Sequence, residues 1–514
     1  MDKQNKMKEL LLKGTLFRFL ERAIVVVTSL LLTPYLISVL GTSDYGLWVL
    51  VLSVLGWFNV INLGFPQAIQ RQIIQALELK DNQRVNVVFS TGLVLFAILG
   101  LFSVLTLVGL TQVPAIFGVT GPEQLTLVQI LLVLSVKVFW GFLMNPFHGF
   151  FSGLLRFDID ANLSSLNAIV KALLVFWLMT NLNIWGAVVA TLAADIVTNT
   201  LKVIYAKRLF PSLTFNIKLA SFNEIKALFA YSKHLVLNGI ITTVGSRSGP
   251  MIIIRLFDLP TLAIQQIAAN LLMHSQAFVG TVTGVFGPVY NKMAAKKQNM
   301  ETIFIQSTTI NIFIASVLFT CLLMFSKIFI VLWVGEAFAY ASSILYFSVF
   351  SILCLGFTSS ANGILMAQAN HKLLSLISFF MVIFNIPMAI FLGVEFGLIG
   401  LAMAGALTSL VFNVFVKMAL FKHYNNYKTN KVYQRLAMSV FLVYSLSFIG
   451  ASTLEALAVD TWLALVVSAA LVLPFIVLIF WTMLLPQHLK DIIFNLLANK
   501  VKCKKHKFKP INTR

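Results

Sequence analysis

Charged side chains inside long apolar segments are the residues of this sequence best suited to chemistry. A Lys, Arg or Asp at the centre of a membrane-spanning helix costs about 2.5–3.5 kcal/mol on insertion scales, so each needs a partner or a water-filled cavity. At mid-depth, three cations (Lys137, Lys171 and Arg247) stand against one acid, Asp195. Cations that face a low-dielectric cavity favour an anionic ligand, and guanidinium pairs well with phosphate oxygens. The predicted chemistry is therefore the binding of an anion.

Two further groups have both a functional and a structural interpretation. Arg18 is a candidate anion ligand, and Glu21 joins Asp195 as a candidate ion-coupling residue. Alternatively, Arg18, Glu21 and Arg22 form an interfacial cluster whose long arms reach water. Lys171 and Asp195 lie on consecutive predicted helices and, on the structural interpretation, neutralise one another.

Arg255 and His274 are the remaining candidate ligands. Arg255 lies near the outer boundary of its span, where it is expected to be hydrated. His274 suits a hydrogen bond between helices as well as it suits a ligand. Lys137 and Arg247 have no sequence neighbour that neutralises them, so they carry the main functional prediction.

The spacing of polar residues supports a shared face. Residues three or four positions apart lie on one side of a helix. The segment from Gly245 to Pro250 contains two glycines and a proline around Arg247, which predicts a loosened helix there. The two polar stripes are Lys137, Gly141, Met144 and His148 on one helix and Ser164, Asn167 and Lys171 on the next.

Composition defines the elements that position these residues. The 514 residues are 59% apolar and only 11% charged, whereas soluble domains are about 25% charged. Long, uniformly apolar runs exclude the alternating strands of a membrane barrel. We predict an all-α polytopic membrane protein with about 14 transmembrane helices. The three cysteines lie far apart and support neither a disulfide framework nor a metal site, and no cofactor is expected.

The positions of the basic residues predict the topology. Alternate connections and the two ends contain 31 Lys and Arg residues, whereas the opposite set contains Lys327 alone. Cytoplasmic loops carry the excess of Lys and Arg, so both termini are predicted to be cytoplasmic. This asymmetry explains most of the net charge of +20 without a nucleic-acid partner.

A weak internal repeat predicts two lobes. Gly186 pairs with Gly400 and Asn199 pairs with Asn413, both at an offset of 214 residues. Six helices per copy keep the two copies in the same orientation, which predicts a pseudo-two-fold axis along the membrane normal and a substrate site between the halves. The predicted divisions are an N-lobe at 1–210, a C-lobe at 211–425, two additional helices at 426–485 and a basic cytoplasmic tail at 486–514.

The N-terminal motifs resemble a known family. The sequence reads Gly-Thr-Leu-Phe-Arg at 14–18, Leu-Gly-Thr-Ser-Asp-Tyr-Gly-Leu-Trp at 40–48 and Asn-Leu-Gly at 62–64. These motifs are similar to those of the polysaccharide transporter (oligosaccharide flippase, Wzx-like) branch of the multidrug/oligosaccharidyl-lipid/polysaccharide superfamily. The resemblance implies two six-helix lobes around a central cavity. It also implies alternating-access movement of undecaprenyl-diphosphate-linked oligosaccharides for O-antigen, capsule or exopolysaccharide assembly.

The resemblance implies further properties. Basic cavity residues contact the diphosphate in that family, a role suited to Lys137, Lys171 and Arg247 by residue type and to Arg18 by its place in the motif. A monomer in the bacterial inner membrane is expected, together with the lipid bilayer, a polysaccharide polymerase and chain-length machinery as partners. Coupling to a proton or sodium gradient is expected, and the sequence does not choose between the two ions.

Two rival functions stay open at this stage. A cation-coupled multidrug exporter of the same superfamily would need carboxylates in its cavity, and only Asp195 and Glu21 are available. A membrane-embedded glycan polymerase or ligase would need a large outer loop, which the sequence lacks. Asp158-Ile-Asp160 imitates the metal-binding motif of glycosyltransferases, but we interpret these acids as solvated loop charges. The sequence contains no P-loop, so this chain is not expected to hydrolyse ATP.

Overall fold

The structure is a computed structural model and describes residues 2–58, 64–457 and 459–491. The motif at 62–64 lies partly outside the described residues, and so does the predicted tail from residue 492 onward. The helices are α1 (Asp2–Phe58), α2 (Phe65–Glu78), α3 (Asn82–Thr111), α4 (Pro122–Gly153), α5 (Phe157–Leu182), α6 (Ile184–Leu209), α7 (Phe222–Leu256), α8 (Leu259–Gly284), α9 (Gly287–Ala295), α10 (Glu301–Val334), α11 (Ala341–Ala367), α12 (His371–Ser409), a π-helical segment (Leu410–Lys417), α13 (Met418–Asn425), α14 (Asn430–Ala456) and α15 (Trp462–Leu484).

The predicted fold class, an all-α polytopic membrane protein, is confirmed. Ten helices of the described chain are long and apolar enough to cross a membrane. Two of them, α1 and α12, are each divided by a glycine with non-helical backbone angles, Gly41 (φ 71°, ψ −175°) and Gly397 (φ 64°, ψ −146°). Counting both halves of these helices and adding the long helices α7 and α8 gives fourteen segments, in agreement with the predicted number.

The surface is that of a protein in lipid. Large apolar side chains stand out from the helices, among them Trp177 (72% exposed), Phe448 (68%) and Leu463 (76%). Soluble monomers rarely expose large continuous apolar surfaces because contact with water is unfavourable. Lipid removes this cost, and helices satisfy their backbone hydrogen bonds internally in the hydrocarbon region.

The chain forms two compact units. The first is Met1–Gln266 and the second is Ile267–Arg514. Helix α7 packs against α1, α2 and α3, which explains why the first unit extends beyond residue 210. The predicted division into an N-lobe and a C-lobe at residue 210 stays a prediction.

In each copy of the predicted repeat, one residue turns the chain sharply between two helical segments, and the local geometry of this corner is the same in both units. Asn183, between α5 and α6, has φ 46° and ψ −131°, close to the angles of Gly397. Three residues after each corner, a glycine approaches backbone. A Cβ at Gly186 would lie 2.7 Å from the backbone N of Met179, and one at Gly400 would lie 1.9 Å from the carbonyl O of Leu392. A side chain at either glycine would therefore clash with the preceding helix.

An aromatic core fixes α4 within the first unit. The ring of Phe89 on α3 lies 5.1 Å from that of Phe147 and 5.4 Å from that of Phe150, both on α4. All three rings are buried. Edge-to-face aromatic pairs add to the stabilisation from area burial. This packing orients the face of α4 that carries Lys137 and His148.

Candidate functional site

Three helices of the first unit meet at Asp195. Lys137 on α4 forms an ion pair with the carboxylate of Asp195 on α6. Asn167 on α5 donates to the other carboxylate oxygen of Asp195 at 2.9 Å and to Thr198 Oγ1 at 3.0 Å. The side chains of Lys137 and Asp195 keep 31% and 22% of their surface exposed. The two predicted polar stripes are therefore joined by Asp195.

Lys171 belongs to the same cluster. It is half-buried on α5 and interacts electrostatically with both Lys137 and Asp195. Lys137 has no neutralising neighbour in the sequence, but the structure gives it Asp195, on another helix, as its ion-pair partner. Lys171 is therefore not the ion-pair partner of Asp195 among the described residues, contrary to the structural interpretation. The cluster holds two ammonium groups and one carboxylate, which leaves one positive charge over.

Arg247 lies on α7 beside α1. A Cβ at Gly56 would lie 2.8 Å from both Cζ and Nε of Arg247, so the guanidinium packs against this glycine. Arg247 is half-buried, and in the described part of the chain no ion pair or hydrogen bond reaches it. Helix α7 is continuous through Pro250, so the predicted loosening of the helix around Arg247 is not seen.

A second ionisable cluster lies where α1, α4 and α5 meet. His148 Nδ1 lies 2.6 Å from Asp160 Oδ2. Glu21 on α1 interacts electrostatically with Asp160, in the first turn of α5. Cζ of Arg18 lies 4.4 Å from the ring centroid of Phe157, a cation–π contact. Arg18 and Glu21 therefore lie together at the start of α5, apart from the Lys137 cluster in sequence and in contacts.

The interpretation of Asp158 and Asp160 as solvated loop charges was wrong. Both lie in the first turn of α5. Asp158 is only 8% exposed and accepts two hydrogen bonds from Arg156, at 2.9 and 3.0 Å. Asp160 is held by His148. Carboxylates near a helix N-terminus are favoured by the helix dipole, so these acids have a structural explanation without a metal.

The structure separates the last two candidates from these clusters. Arg255 is exposed and donates to the carbonyl of Ile116, in the connection between α3 and α4, at 3.3 Å. This placement agrees with a hydrated residue at the end of its span. His274 is half-buried on α8, in the second unit.

Sequence reasoning missed two cations of the second unit. Lys417, near a predicted span end, is only 7% exposed. Arg435 on α14 is half-buried and donates to Thr309 of α10. Their positions near predicted span ends concealed them, because residues there are expected to reach water.

Comparisons with known proteins agree with this picture. A family model described as a polysaccharide biosynthesis protein matches residues 11–294, more than half of the chain. A relative from Bacillus subtilis (strain 168), described as the uncharacterized membrane protein EpsK, is 22% identical over 416 residues, covering 76% of this chain and 78% of the relative.

Solved structures share the fold. The lipid II flippase MurJ, in an inward closed conformation, superposes with a TM-score of 0.65 at 16% identity, covering 87% of this chain and 99% of that one. An outward-facing multidrug resistance transporter of the MATE family superposes with a TM-score of 0.60 at 14% identity, covering 82% of this chain and 96% of that one.

The long apolar helices define a polytopic membrane protein, and its fold is shared with MurJ and with MATE transporters. Within that class, the chain belongs to the polysaccharide biosynthesis protein family. The predicted family is confirmed.

Proposed function

We propose that this protein is a flippase that moves undecaprenyl-diphosphate-linked oligosaccharides from the cytoplasmic to the outer leaflet by alternating access. The observation that carries the proposal is the positive charge left over at Lys137, Asp195 and Lys171, together with the unpaired guanidinium of Arg247. These groups suit the two phosphates of such a lipid. The products would serve O-antigen, capsule or exopolysaccharide assembly.

The energetics of the substrate explain why such a site is needed. A diphosphate cannot cross about 30 Å of hydrocarbon unaided, because moving charge out of water is very costly. Cationic groups in a hydrated passage replace the lost water around the phosphates. The polyprenyl tail can remain in lipid throughout, so the protein needs to bind only the headgroup and its sugars.

The similarity to MurJ supports this proposal, since that protein is described as a flippase of lipid II.

The similarity to MATE transporters favours a second candidate, a cation-coupled multidrug exporter. An exporter of organic cations would need free carboxylates. In the first unit Asp195 is already held by Lys137 and Asn167, and the charge left over is positive, which favours the flippase.

The cellular setting is part of the proposal. We place the protein in the bacterial inner membrane with both termini in the cytoplasm, following the distribution of basic residues. We expect a monomer whose product is used by a polysaccharide polymerase and its chain-length machinery. Coupling to a proton or sodium gradient would make transport directional. Glu21 is a better carboxylate for this role than Asp195, which is held in an ion pair.

Complementation of surface-glycan assembly tests the proposed function. In a strain that lacks the wild-type gene, Arg247→Ala and Lys137→Ala should abolish glycan assembly at nearly normal protein abundance. Lys327→Ala is the matched control, because this exposed lysine pairs only with the exposed Glu455, at 2.8 Å. Full glycan assembly by either site variant would show that the residue does not bind the headgroup.

A further inference from the structure

A buried lysine of the second unit has no place in the proposed anion site. Lys417 ends the π-helical segment Leu410–Lys417, and its Nζ donates to Asn413 Oδ1 at 2.6 Å. Asn413 donates in turn to Ser409 Oγ at 2.9 Å, and Ser409 donates to the carbonyl of Ser351 at 3.0 Å. Every partner in this line is uncharged, although only 7% of Lys417 is exposed.

No carboxylate lies near Lys417 on the described elements around it. Its segment packs against α11, α12 and α13, and Tyr433 of α14 donates to Val414 O at 2.7 Å. The one acid on these three helices, Glu395, precedes the Gly397 kink, about 30 Å away at 1.5 Å per residue. The titratable side chains on these elements are Tyr346 and Cys354 on α11, His371, Lys372 and Glu395 on α12, Lys422, His423 and Tyr424 on α13, and Lys431, Tyr433, Arg435, Tyr444 and Glu455 on α14. Glu455 lies at the opposite end of α14 from Tyr433 and pairs with Lys327.

The corresponding segment of the first unit, around Asn199 and Lys202, has the carboxylate partner that Lys417 lacks. There, Lys202 follows Asn199 by three residues on a regular α-helix and interacts electrostatically with Asp160. In the second unit, Lys417 follows Asn413 by four residues within the wider turns of a π-helix. Such π-helical segments are rare and are found frequently at functional sites. The second copy thus places its lysine in the core without a counter-charge.

We propose that Lys417 binds and releases a proton during transport, as a neutral amine in the packed core and as an ammonium when water reaches it. A buried ammonium without a carboxylate is unfavourable, whereas a neutral amine keeps its hydrogen bond to Asn413. A proton, unlike an anion, needs no additional room in a packed core. The proposal rests on the proposed transport function and assigns its coupling ion.

Reconstitution into liposomes tests the role of Lys417. The probe is a fluorescent undecaprenyl-diphosphate-linked oligosaccharide, and its leaflet distribution is read with and without a gradient of one pH unit. If one proton moves per substrate, the gradient shifts the wild-type distribution by up to about tenfold. Lys417→Met should exchange the probe without a gradient but lose the shift. Lys422→Met, an exposed lysine five residues on, should keep both activities.

The outcomes separate this proposal from the proposed function. A full gradient response in Lys417→Met, or none in the wild type, would overturn the proton site while leaving the flippase intact. No probe movement by the wild type in either condition would overturn both. If Lys417→Met does not fold, Lys417→Arg, which stays charged, should show the same loss of the gradient response.

Proton flux can also be measured directly in the wild type. A pH-sensitive dye in the liposome lumen should report proton flux that accompanies probe movement. Probe movement without proton flux would also overturn the proposal.

Discussion

At the scale of single residues, Lys137 has two separable roles. It neutralises Asp195, and with Lys171 it is proposed to supply the surplus positive charge of the anion site. Removing one member of a buried ion pair leaves the other charge unpaired, which is more costly than removing both. The ion pair is only partly buried, so the stabilising role is expected to be modest.

The two roles can be tested with a pair of variants. Lys137→Met should lower the free energy of unfolding by about 1–2 kcal/mol, because the partly buried Asp195 carboxylate loses its ion-pair partner. Lys137→Met combined with Asp195→Asn should recover that stability but not transport. Thermal unfolding in detergent and a glycan-assembly assay measure the two effects. Wild-type transport by the double variant would mean that the pair is structural only.

The role of Arg247 can be tested by moving its guanidinium, with Gly56→Ala, as well as by removing it, with Arg247→Ala. A Cβ at Gly56 would press on the guanidinium, whose flexible side chain can move aside. We expect Arg247→Ala to lower substrate affinity by about tenfold or more, since hydrogen bonds to charged groups contribute about 1.5–3 kcal/mol. Gly56→Ala should give a smaller loss of the same kind. Binding of a diphosphate lipid to purified protein measures both, and equal affinity in Gly56→Ala and Arg247→Ala would contradict this account of the guanidinium.

At the scale of elements, the corner before each repeated glycine determines how a helix turns back on its neighbour. Gly400→Ala should strongly reduce the yield of folded protein, because the new Cβ would lie 1.9 Å from a backbone carbonyl oxygen that cannot move aside. Gly405→Ala is the matched control on α12, since no atom outside its own helix lies within 4 Å of its Cβ position. Gel filtration and thermal unfolding measure the outcome. Equal yields of the two variants would refute the proposed packing at the corner.

Sequence patterns predicted the helices well because their cause is local. An apolar run of about 20 residues can satisfy its backbone in lipid only as a helix, whatever surrounds it. The partner of Lys137 was not predictable in the same way, since Asp195 lies 58 residues away and meets it only because α4 packs on α6. The burial of Lys417 was missed because a π-helical segment departs from the 3.6-residue period on which sequence patterns depend.

At the scale of the whole molecule, the central claim is that the transporter recognises its substrate through phosphate. Each unit has cations that are at least half-buried, but the proposed roles differ. In the first unit the surplus charge is proposed to hold the headgroup, and in the second Lys417 is proposed to carry a proton. Both roles leave the sugars of the substrate free to vary.

The most direct test compares the binding of undecaprenyl diphosphate and undecaprenol to the purified wild-type protein and to Lys171→Met. The account predicts that the diphosphate binds much more tightly than the alcohol. It also predicts that Lys171→Met and added salt weaken the binding of the diphosphate alone, by about tenfold for the substitution. Equal affinity for the two lipids, or diphosphate binding that is unchanged in Lys171→Met, would contradict the account.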